Sequence, residues 1–330
     1  MSVPLSPSLS TPPSLTVILV SYNTRDLTLA ALRTLYETTR TTQFQTIVFD
    51  NASVDGSADA VEALFPQVNV VRSPENLGFA HANNLVAEMV ETDWLLLLNP
   101  DTECHKGAVD NLMAFAMEYP KAGIYGGRTV FPDGQINIAS CWMRITPWSI
   151  FCSSAGLTAA FPKSMIFNTE AIGGWARDSV RQVDIVSGCF LLTHRQLWKR
   201  LGGFDLRYFM YGEEADLCLR ARRLGFSPMI TPEAQIMHLV GASSPARARK
   251  RSMVLKARVT LIRDHWPAWQ VPCGLGVFWA GIGLRMLAAR ILALNGGTRQ
   301  VERVGYWSEI WRTRQDWIKG YGHPPRDKAF

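Results

Sequence analysis

The sequence predicts an α/β fold organised around a Rossmann-like sheet. Short apolar runs rich in β-branched residues alternate with segments in which apolar residues recur at helical spacing. Each of the first four apolar runs ends in a cluster of polar side chains. Strands that alternate with helices pair in parallel through right-handed crossovers, so these four polar clusters should meet at one edge of the sheet.

The strands and helices of the first half are expected in regular order. The first strand covers residues 15–21, and Leu27, Ala31 and Leu35 follow at a spacing that places them on one helix face. Further strands are expected at residues 46–50, 68–72 and 93–98, and helices at about residues 57–65 and 79–90. No G-x-G-x-x-G segment follows the first strand, which argues against a dinucleotide-binding dehydrogenase.

The second half of the chain begins irregularly. Residues 140–180 are rich in Trp, Gly and Pro and show no clear periodicity, which is typical of a functional lid or a binding loop. Regular structure is expected again at residues 183–192. Two helices should follow, at about residues 194–201 and 215–224.

The net charge of +6 conceals an uneven distribution. From Gly241 onward the chain has 16 Lys and Arg residues but only 5 Asp and Glu residues, a balance of +11, whereas the preceding 240 residues carry −5. A basic segment favours nucleic acid or an anionic membrane surface as its partner. The apolar and aromatic residues that accompany these charges favour the membrane and argue against nucleic acid.

The apolar part of the C-terminal segment suits a membrane surface. Residues 267–284 carry no charge, but two prolines and four glycines weaken a single transmembrane helix. Arg285 and Arg290, set among apolar residues, suit a helix that lies in the interface with its cations toward headgroups. Aromatic residues typical of a membrane interface follow at Trp307, Trp311 and Trp317, and the run 247–251 adds basic residues. Two alternatives stay open: an ordinary helical subdomain packed on the rest of the chain, and a true span.

Cysteine usage and the N-terminal residues favour a cytoplasmic protein. The six cysteines are scattered without a C-x-x-C pair, which argues against a zinc site or a disulfide framework and suits a reducing compartment. Residues 1–14 are rich in Ser and Pro and lack the apolar core of a signal peptide, so they are expected to be a disordered leader. We therefore expect a cytoplasmic protein that is peripheral on the inner face of the membrane.

The polar clusters at the strand ends predict a ligand site. The fourth apolar run, W-L-L-L-L, ends in Asn99-Pro100-Asp101, and a carboxylate there can hold a divalent cation against a phosphorylated ligand. Capping of the helix that follows Cys104 is the alternative use of Asp101. The ends of the other three strands supply an aromatic ring, a carboxylate and amide groups. The residues are Ser21-Tyr22-Asn23, Asp50-Asn51, Asn76, Gly78-Phe79 and Asn83. Turns use such residues too, but four clusters together suit a nucleoside diphosphate site.

A second acidic cluster begins the helix expected near residue 215. Glu213, Glu214 and Asp216 place three acids in four positions, more than helix capping requires. Like charges held together raise one another's pKa. A carboxylate with a raised pKa suits the removal of a proton from a hydroxyl group near neutral pH.

Several of these segments together resemble the family 2 glycosyltransferases of the GT-A fold. The motifs are V-I-L-V-S-Y-N, D-N-A-S-V-D-G, N-L-G-F-A-x-A-N-N, L-L-L-L-N-P-D and G-G-F-D-x-x-Y-F-M-Y-G-E-E-A-D. The chain is most similar to the bacterial rhamnosyltransferase-like branch, from about Leu15 to Ser244. The resemblance implies a Rossmann-like mixed sheet flanked by helices, with a nucleotide-sugar half at 15–127 and an acceptor half at 128–244. The resemblance does not cover residues 245–330 well, and their composition predicts a basic, amphipathic helical extension that associates with membranes.

The resemblance also implies roles for the strand-end residues. Tyr22 and Asp50 would hold the base of the donor. Ser21 and Asn23 would shape the floor of this pocket beside Asn51, and Asn76, Gly78, Phe79 and Asn83 would line the ribose and sugar region. Asn99-Pro100-Asp101 stands where the family has its D-x-D motif, with Asn in place of the first acid. His238 matches a histidine that would join Asp101 in holding Mg²⁺ or Mn²⁺.

For catalysis, the resemblance points to the second acidic cluster. Glu214 would be the base, although the family usually has Asp there, and Glu213 and Asp216 remain alternatives. The segment around Gly188 and Cys189 would face the acceptor, together with Trp175 and Arg220; Arg220 can also steady one of the acids. Cys189 itself is interpreted as a packing residue because an inverting displacement needs no nucleophilic thiol.

These expectations define an inverting, metal-dependent glycosyltransferase. By resemblance, the donor would be dTDP-L-rhamnose and the acceptor a lipid-linked or cell-surface glycan. A sugar-phosphate nucleotidyltransferase is a rival, but it would want a Gly-rich basic loop where this chain has Ser21-Tyr22-Asn23-Thr24. A non-catalytic membrane-associated homologue is a second rival, kept open by Asn99 and Glu214. The oligomeric state stays open, with a homo-oligomer compatible.

Overall fold

A computed structural model describes residues 14–239, 247–293, 296 and 298–322 of the chain. The strands are β1 (Leu15–Ser21), β2 (Phe44–Asp50), β3 (Asn69–Arg72), β4 (Trp94–Leu98), β5 (Thr102–Cys104), β6 (Ile124–Val130), β7 (Ile136–Asn137), β8 (Cys141–Trp142), β9 (Arg181–Gln182), β10 (Ile185–Val186), β11 (Phe190–His194) and β12 (Met229–His238). The expected disordered leader at 1–14 lies, apart from Ser14, outside the described residues, and so does the expected domain boundary at residue 244.

The helices surround this sheet and continue into the C-terminal region. They are α1 (Arg25–Thr38), α2 (Ser57–Leu64), α3 (Gly78–Met89), α4 (Ala108–Glu118), α5 (Pro147–Ser154), α6 (Leu157–Ala160), α7 (Arg195–Leu201), α8 (Glu213–Arg223), α9 (Arg247–His265), α10 (Val271–Ala293), α11 (Thr298–Arg312) and α12 (Arg314–Trp317).

The main sheet is mixed, and its strand order explains where the polar clusters meet. The order is β3-β2-β1-β4-β11-β6-β12-β5. The first four of these strands are parallel, so the polar residues that follow them lie at one edge. β11 is antiparallel to both β4 and β6, and β12 runs parallel to β6. The predicted mixed α/β fold is therefore confirmed.

The sheet is buried on both faces, which accounts for its almost continuous apolar strands. Val17 and Leu19 of β1 pack on one side with Leu32 and Leu112, whereas Ile18 packs on the other side with residues of α3, α7 and α8. Alternate residues of a strand point to opposite faces, so one short strand contributes to both cores. This arrangement fixes β1 and β4 rigidly and leaves only their ends for ligands.

The segment expected to be irregular contains short ordered elements. Thr146 caps α5 through a capping box with Ser149, and Pro147 occupies the first turn. Strand β8 pairs with β10 in a separate two-stranded sheet. The ordered stretch expected at residues 183–192 is divided into β10 and β11 by a short loop. Elements of two to eight residues are too short to show a hydrophobic period, so the sequence pattern did not reveal them.

The C-terminal helices pack against one another and against α5. Their buried residues form a cluster made of Ile150, Leu255, Val259, Ile262, Phe278, Ile282, Ile310 and Trp317. The expectation that Trp317 is an interfacial aromatic was wrong, because its side chain is 1% exposed and fills this cluster. A helical subdomain packed on the rest of the chain is therefore what the described residues form.

Helix α10 is continuous despite its glycines, which serve close packing. A Cβ at Gly281 would collide with Ser154 of α5, and a Cβ at Gly283 would lie 3.1 Å from the ring of Trp311. Within the described part of the chain, α10 is the one helix long and apolar enough to cross a membrane by length and composition. That is weak evidence for a span, although only 22% of its apolar window is buried.

Candidate active site

A cavity of about 650 Å³ opens at the carboxyl ends of the parallel strands. It brings together strand-end residues from the first half of the chain and the acidic cluster of the second half. Of the residues proposed from the sequence, its lining includes Tyr22, Asn51, Asn76, Phe79, Asn99, Asp101, Gly188, Cys189, Glu213, Glu214 and His238. Residues more than 200 positions apart in the sequence thus share one site.

The other proposed residues support the cavity or lie beside it. They are Ser21, Asn23, Asp50, Gly78, Asn83, Trp175, Asp216 and Arg220, none of which is among the lining residues described. Ser21 Oγ lies 3.0 Å from Thr24 Oγ1 and so ties the end of β1 to the start of α1. Asn23 adopts a left-handed conformation, with φ of 52°, and its Oδ1 accepts a hydrogen bond from Val54 N. These contacts hold the backbone on either side of Tyr22, which does line the cavity.

The end of β1 and the end of β2 present a ring beside a buried carboxylate. The Tyr22 side chain is 48% exposed, available to stack on a planar ligand. Asp50 pairs with Ser21 across the two strands. Its Oδ2 accepts from Ser53 N at 3.2 Å, whereas its buried Oδ1 has no hydrogen-bond partner among the described residues. The ends of β1 and β2 thus bring an exposed ring and a buried acceptor to neighbouring strands.

Asn51 holds the loop that follows β3. Its Nδ2 donates to Asn76 Oδ1 at 3.0 Å, and its Oδ1 accepts from Leu77 N at 2.8 Å. Gly78 then begins α3 with φ of +80°, and a Cβ there would lie 2.5 Å from the carbonyl oxygen of Phe209. Glycine is therefore required at position 78. The contact couples the strand-end loops to the segment that precedes the acidic cluster.

Asp101 and His238 meet because β5 and β12 are neighbours. His238 pairs with Thr102 in the antiparallel register, which brings the imidazole beside Asp101. Nε2 of His238 lies 3.3 Å from Oδ1 of Asp101, and both side chains are buried. The two atoms are close enough for an ion pair but are not aligned for a hydrogen bond, so Asp101 Oδ1 lacks a hydrogen-bond partner among the described residues.

The chemistry of this pair fits part of a metal shell. Burial acts to lower the pKa of His238, but the neighbouring Cys189 and Asp101 outweigh it and raise the pKa to about 10. His238 must therefore lose a proton before its Nε2 can coordinate a cation, so metal binding would release a proton. An oxygen and a nitrogen ligand side by side suit Mn²⁺ or Mg²⁺ when a ligand supplies further oxygens. The described residues contain no group of three or more His, Cys, Asp or Glu side chains that could hold an ion by themselves. Phosphate oxygens of a donor would have to complete the shell.

The acidic pair at the start of α8 lies in the cavity wall, with Glu213 buried and Glu214 partly buried. Burial and the charge of Glu214 raise the pKa of Glu213 well above its ordinary value, and Glu213 Oε2 has no hydrogen-bond partner in the described structure. Burial also raises the pKa of Glu214, whose Oε2 accepts from Gly212 N at 3.1 Å. A shared proton relieves the repulsion between two such neighbours. The backbone donor at Glu214 Oε2, which Glu213 Oε2 lacks, favours the charge on Glu214.

Asp216 belongs to an ion-pair network outside the cavity lining. Its carboxylate contacts Arg220 Nε at 2.7 Å and His265 Nε2 at 2.9 Å. Burial acts to raise the pKa of Asp216, but His265 and Arg220 hold it below its ordinary value. Arg220 also donates to the carbonyl oxygens of Leu201 and Gly203. These contacts favour a structural role for Asp216 and Arg220 rather than base catalysis or acceptor binding.

Gly188 lies close to residues from both halves of the site. A Cβ there would lie 3.3 Å from the ring of Phe79 and 3.7 Å from Cβ of Glu214. The next residue, Cys189, is 3% exposed, and its carbonyl oxygen accepts from Asn99 N at 3.0 Å. Trp175, by contrast, packs its ring against the guanidinium groups of Arg177 and Arg181 outside the cavity lining.

The C-terminal helices supply one wall of the cavity, which the sequence analysis missed. The residues involved are Lys250, Arg251, Val254, Ala257, Arg258 and Leu261 of α9 and Phe278, Ile282 and Arg285 of α10. Three of these cations had been assigned, in the run 247–251 and at Arg285, to a membrane surface. The spacing of Arg251 and Arg258, two helical turns apart, was the signal that they share a face.

Comparison with known proteins agrees with this geometry. The family model described as Glycosyl transferase family 2 matches residues 16–175. The N-acetylglucosaminyl-diphospho-decaprenol L-rhamnosyltransferase of Mycobacterium tuberculosis (strain CDC 1551 / Oshkosh) is 30% identical over 207 residues, which cover 58% of this chain and 65% of that protein. Rhamnosyltransferase WbbL of Escherichia coli (strain K12) is 30% identical over 174 residues, which cover 49% of this chain and 60% of that protein. The chain thus spans less than two thirds of either relative.

A solved structure shares the fold over nearly the whole chain. The mannosyltransferase PcManGT from Pyrobaculum calidifontis, in complex with GDP-Man and Mn²⁺, has a TM-score of 0.57 at 17% identity. The likeness covers 98% of this chain and 90% of that one. At this identity it concerns the fold alone. Residues 16–175 are therefore similar to glycosyl transferase family 2, and the mixed sheet with flanking helices has the GT-A type of fold.

Proposed function

We propose that the protein is an inverting, metal-dependent glycosyltransferase. The observation that carries the proposal is the presence, in one cavity, of the Asp101–His238 pair and the Glu213–Glu214 pair. The first pair suits the phosphates of a nucleotide sugar, and the second suits proton removal from an acceptor. Tyr22 and Asp50 add a place for the base of the nucleotide.

In the proposed reaction Glu214 takes the proton of the acceptor hydroxyl. The acceptor oxygen then forms a bond to the anomeric carbon of the donor sugar from the opposite side. The bond from that carbon to the phosphate oxygen breaks, and the nucleoside diphosphate leaves with the bonding electrons. Gly188 allows the acceptor to lie close to both Phe79 and Glu214, which favours a productive alignment.

Asp101 and His238 would hold a divalent cation together with the donor diphosphate. When bound, the cation would neutralise the negative charge that develops on the departing nucleoside diphosphate. With a single protein carboxylate in the pair, most of the oxygen ligands would come from the donor itself. Metal binding and donor binding should therefore depend on one another.

The names of the relatives support the finer assignments. Both are rhamnosyltransferases, so we propose dTDP-L-rhamnose as the donor. The mycobacterial relative is named for an acceptor joined to decaprenol through a diphosphate, so we propose a lipid-linked glycan as the acceptor. Such an acceptor lies at a membrane, which fits the basic balance after Gly241 and the exposed apolar side chains of α10. We therefore propose a peripheral location on the cytoplasmic face.

The test is release of nucleoside diphosphate from a panel of donors. dTDP-L-rhamnose, UDP-GlcNAc and GDP-mannose are each offered with and without polyprenyl-diphosphate-linked N-acetylglucosamine, and the lipid product is identified by mass spectrometry. We expect dTDP release that the acceptor stimulates and that a chelator abolishes. Formation of pyrophosphate from dTTP and a sugar phosphate would indicate the nucleotidyltransferase instead. Failure of every donor would favour a non-catalytic homologue.

A further inference from the structure

Three arginines from the C-terminal helices line the cavity and form what we term the arginine cluster. Arg251 and Arg258 lie two turns apart on α9, and Arg285 lies on α10. The sequence analysis placed these helices outside the catalytic domain. All three residues nevertheless line the same cavity as Asp101 and Glu214.

The positive charge of the arginine cluster is only partly compensated. Arg258 makes a bidentate pair with Glu170, with N–O distances of 2.6 and 2.9 Å. Arg285 donates to the carbonyl oxygens of Gly281 and Ser153, which are neutral. In the described structure, the ion pairs of these three arginines are confined to the one with Glu170. Three cations therefore share one carboxylate.

Arg251 is the residue without a structural explanation. Its Nε is buried and has no hydrogen-bond partner among the described residues. Burial lowers the pKa of Arg251, the nearby charges of Arg258 and Arg285 lower it further, and Tyr306 and Glu170 offset only part of this decrease. Burial and Arg258 likewise lower the pKa of Arg285. A buried cation beside two others is unfavourable unless an anion joins them.

A structural role in connecting helices explains two of the three arginines in the arginine cluster. The contacts of Arg258 with Glu170, and of Arg285 with Ser153, join α9 and α10 to the segment that contains α5. Arg251 takes part in neither contact. A purely structural cluster would gain stability from a second carboxylate or from an apolar residue at position 251. The open cavity in front of it points to a ligand instead.

We propose that Arg251, Arg258 and Arg285 bind the diphosphate that joins the acceptor glycan to its lipid. The inference rests on the proposed function and adds a second anion site, on the acceptor side, to the donor site at Asp101. Planar guanidinium groups match phosphate oxygens in pairs, and two or more of them suit a diphosphate. Phe278 and Ile282 line the same wall and suit the first apolar units of the lipid.

The first test measures binding and needs no turnover. Geranyl diphosphate is titrated calorimetrically into the full-length protein with Mn²⁺ present and the donor site saturated with dTDP. We expect binding to the natural sequence and a loss of roughly 10- to 100-fold in Arg251→Gln, the effect of removing charged hydrogen bonds. Arg249→Gln is the matched control, because Arg249 is an exposed cation on the same helix. It should bind geranyl diphosphate as the natural protein does.

A second arm uses the reaction. With the polyprenyl-diphosphate acceptor, Arg251→Gln should raise the acceptor KM and leave the KM of the donor unchanged. With an octyl glycoside of N-acetylglucosamine, which has no phosphate, the two proteins should have equal KM values. If dTDP-L-rhamnose gives no turnover at all, the proposed function fails, and the binding arm still decides whether the anion site exists.

Two outcomes would overturn the inference. Equal binding of geranyl diphosphate by the natural protein and Arg251→Gln would remove Arg251 from any such site. If Arg251→Gln lost binding to phosphatidylglycerol vesicles but kept binding to geranyl diphosphate, the cluster would contact lipid headgroups instead. Should Arg251→Gln fail to fold, Arg251→Lys replaces it in both arms. Its single ammonium should bind geranyl diphosphate more weakly than the guanidinium does, and equal binding would again oppose the inference.

Discussion

Asp101 and His238 lie at the ends of two strands far apart in sequence, and Oδ1 of one is 3.3 Å from Nε2 of the other. The pairing of β12 with β5 fixes this distance, because His238 is opposite Thr102 in the register. Further support comes from Leu239 N, which donates to the carbonyl oxygen of Asp101 at 3.0 Å. A pair held by backbone hydrogen bonds is prepared for a ligand before the ligand arrives.

The first prediction concerns this pair. Asp101→Ala and His238→Ala should each weaken binding of dTDP in the presence of Mn²⁺ by roughly 10-fold or more, a loss that even outer-shell partners of a metal cause. Binding without the metal should change little. Titration of dTDP with and without EDTA measures the difference. His105→Ala is the control, because His105 is exposed and contacts Gln235 rather than Asp101. Donor binding indifferent to EDTA in the natural protein would refute the assignment.

The second prediction separates the two glutamates. Glu214→Gln removes the proposed base and should lower kcat by about 10²- to 10⁴-fold while leaving donor binding intact. Glu213→Gln should keep most of the rate, because glutamine resembles the protonated carboxyl group that burial and Glu214 favour at this position. The kcat of both variants is measured at saturating donor. A larger loss in Glu213→Gln than in Glu214→Gln would exchange the two roles.

The third prediction is the direction of the pH dependence. Glu214 must be ionised to accept a proton, and burial raises its pKa above the ordinary value of 4.5. The rate should therefore rise with pH through that raised pKa, and activity should be lost on the acid side at a pH above the usual carboxyl range. A profile of kcat against pH at saturating substrate locates this limb. A limb at or below pH 4.5 would show that burial does not raise the pKa of the base.

The buried strand β1 was predicted correctly from the sequence, whereas the surroundings of residues in the C-terminal helices were not. β1 was predicted at residues 15–21 and is observed there, because a strand buried on both faces must be apolar throughout and its ends are marked by polar residues. The positions of Asp101 and Glu214 followed from motifs. The environments of Arg251 and Trp317 could not be predicted, since a basic run or a tryptophan has the same local sequence whether it faces solvent, a membrane or a cavity. Only the packing of α9 and α10 distinguishes these environments.

The fourth prediction concerns the space at Gly188. In Gly188→Ala the added methyl group would lie 3.3 Å from the Phe79 ring, so the ring must shift by a few tenths of an ångström next to Glu214. We expect a fall in kcat for transfer with an unchanged melting temperature. Gly276→Ala is the control, because a Cβ at that exposed helical position would meet nothing within 4 Å. Full activity in Gly188→Ala would show that the acceptor does not approach this backbone.

The last prediction concerns the exposed face of α10. Leu284, Leu287 and Ile291 are each more than half exposed, whereas the opposite side of the helix contributes Phe278 and Ile282 to the C-terminal cluster. An apolar surface of this kind on a basic segment suits the interface of an anionic membrane. Replacing Leu287 and Ile291 by Gln should reduce sedimentation with phosphatidylglycerol vesicles.

The same double substitution should leave transfer to a soluble acceptor unchanged, because neither side chain lines the cavity. Leu64→Gln is the control, since Leu64 is 61% exposed at the end of α2, away from the C-terminal helices. Deleting α10 would be a poorer test, because Phe278, Ile282 and Arg285 form part of the cavity wall and their loss would disturb the site as well. Vesicle binding that survives in Leu287→Gln/Ile291→Gln would show that this face is not the membrane contact, leaving the basic residues of α9 to explain any association.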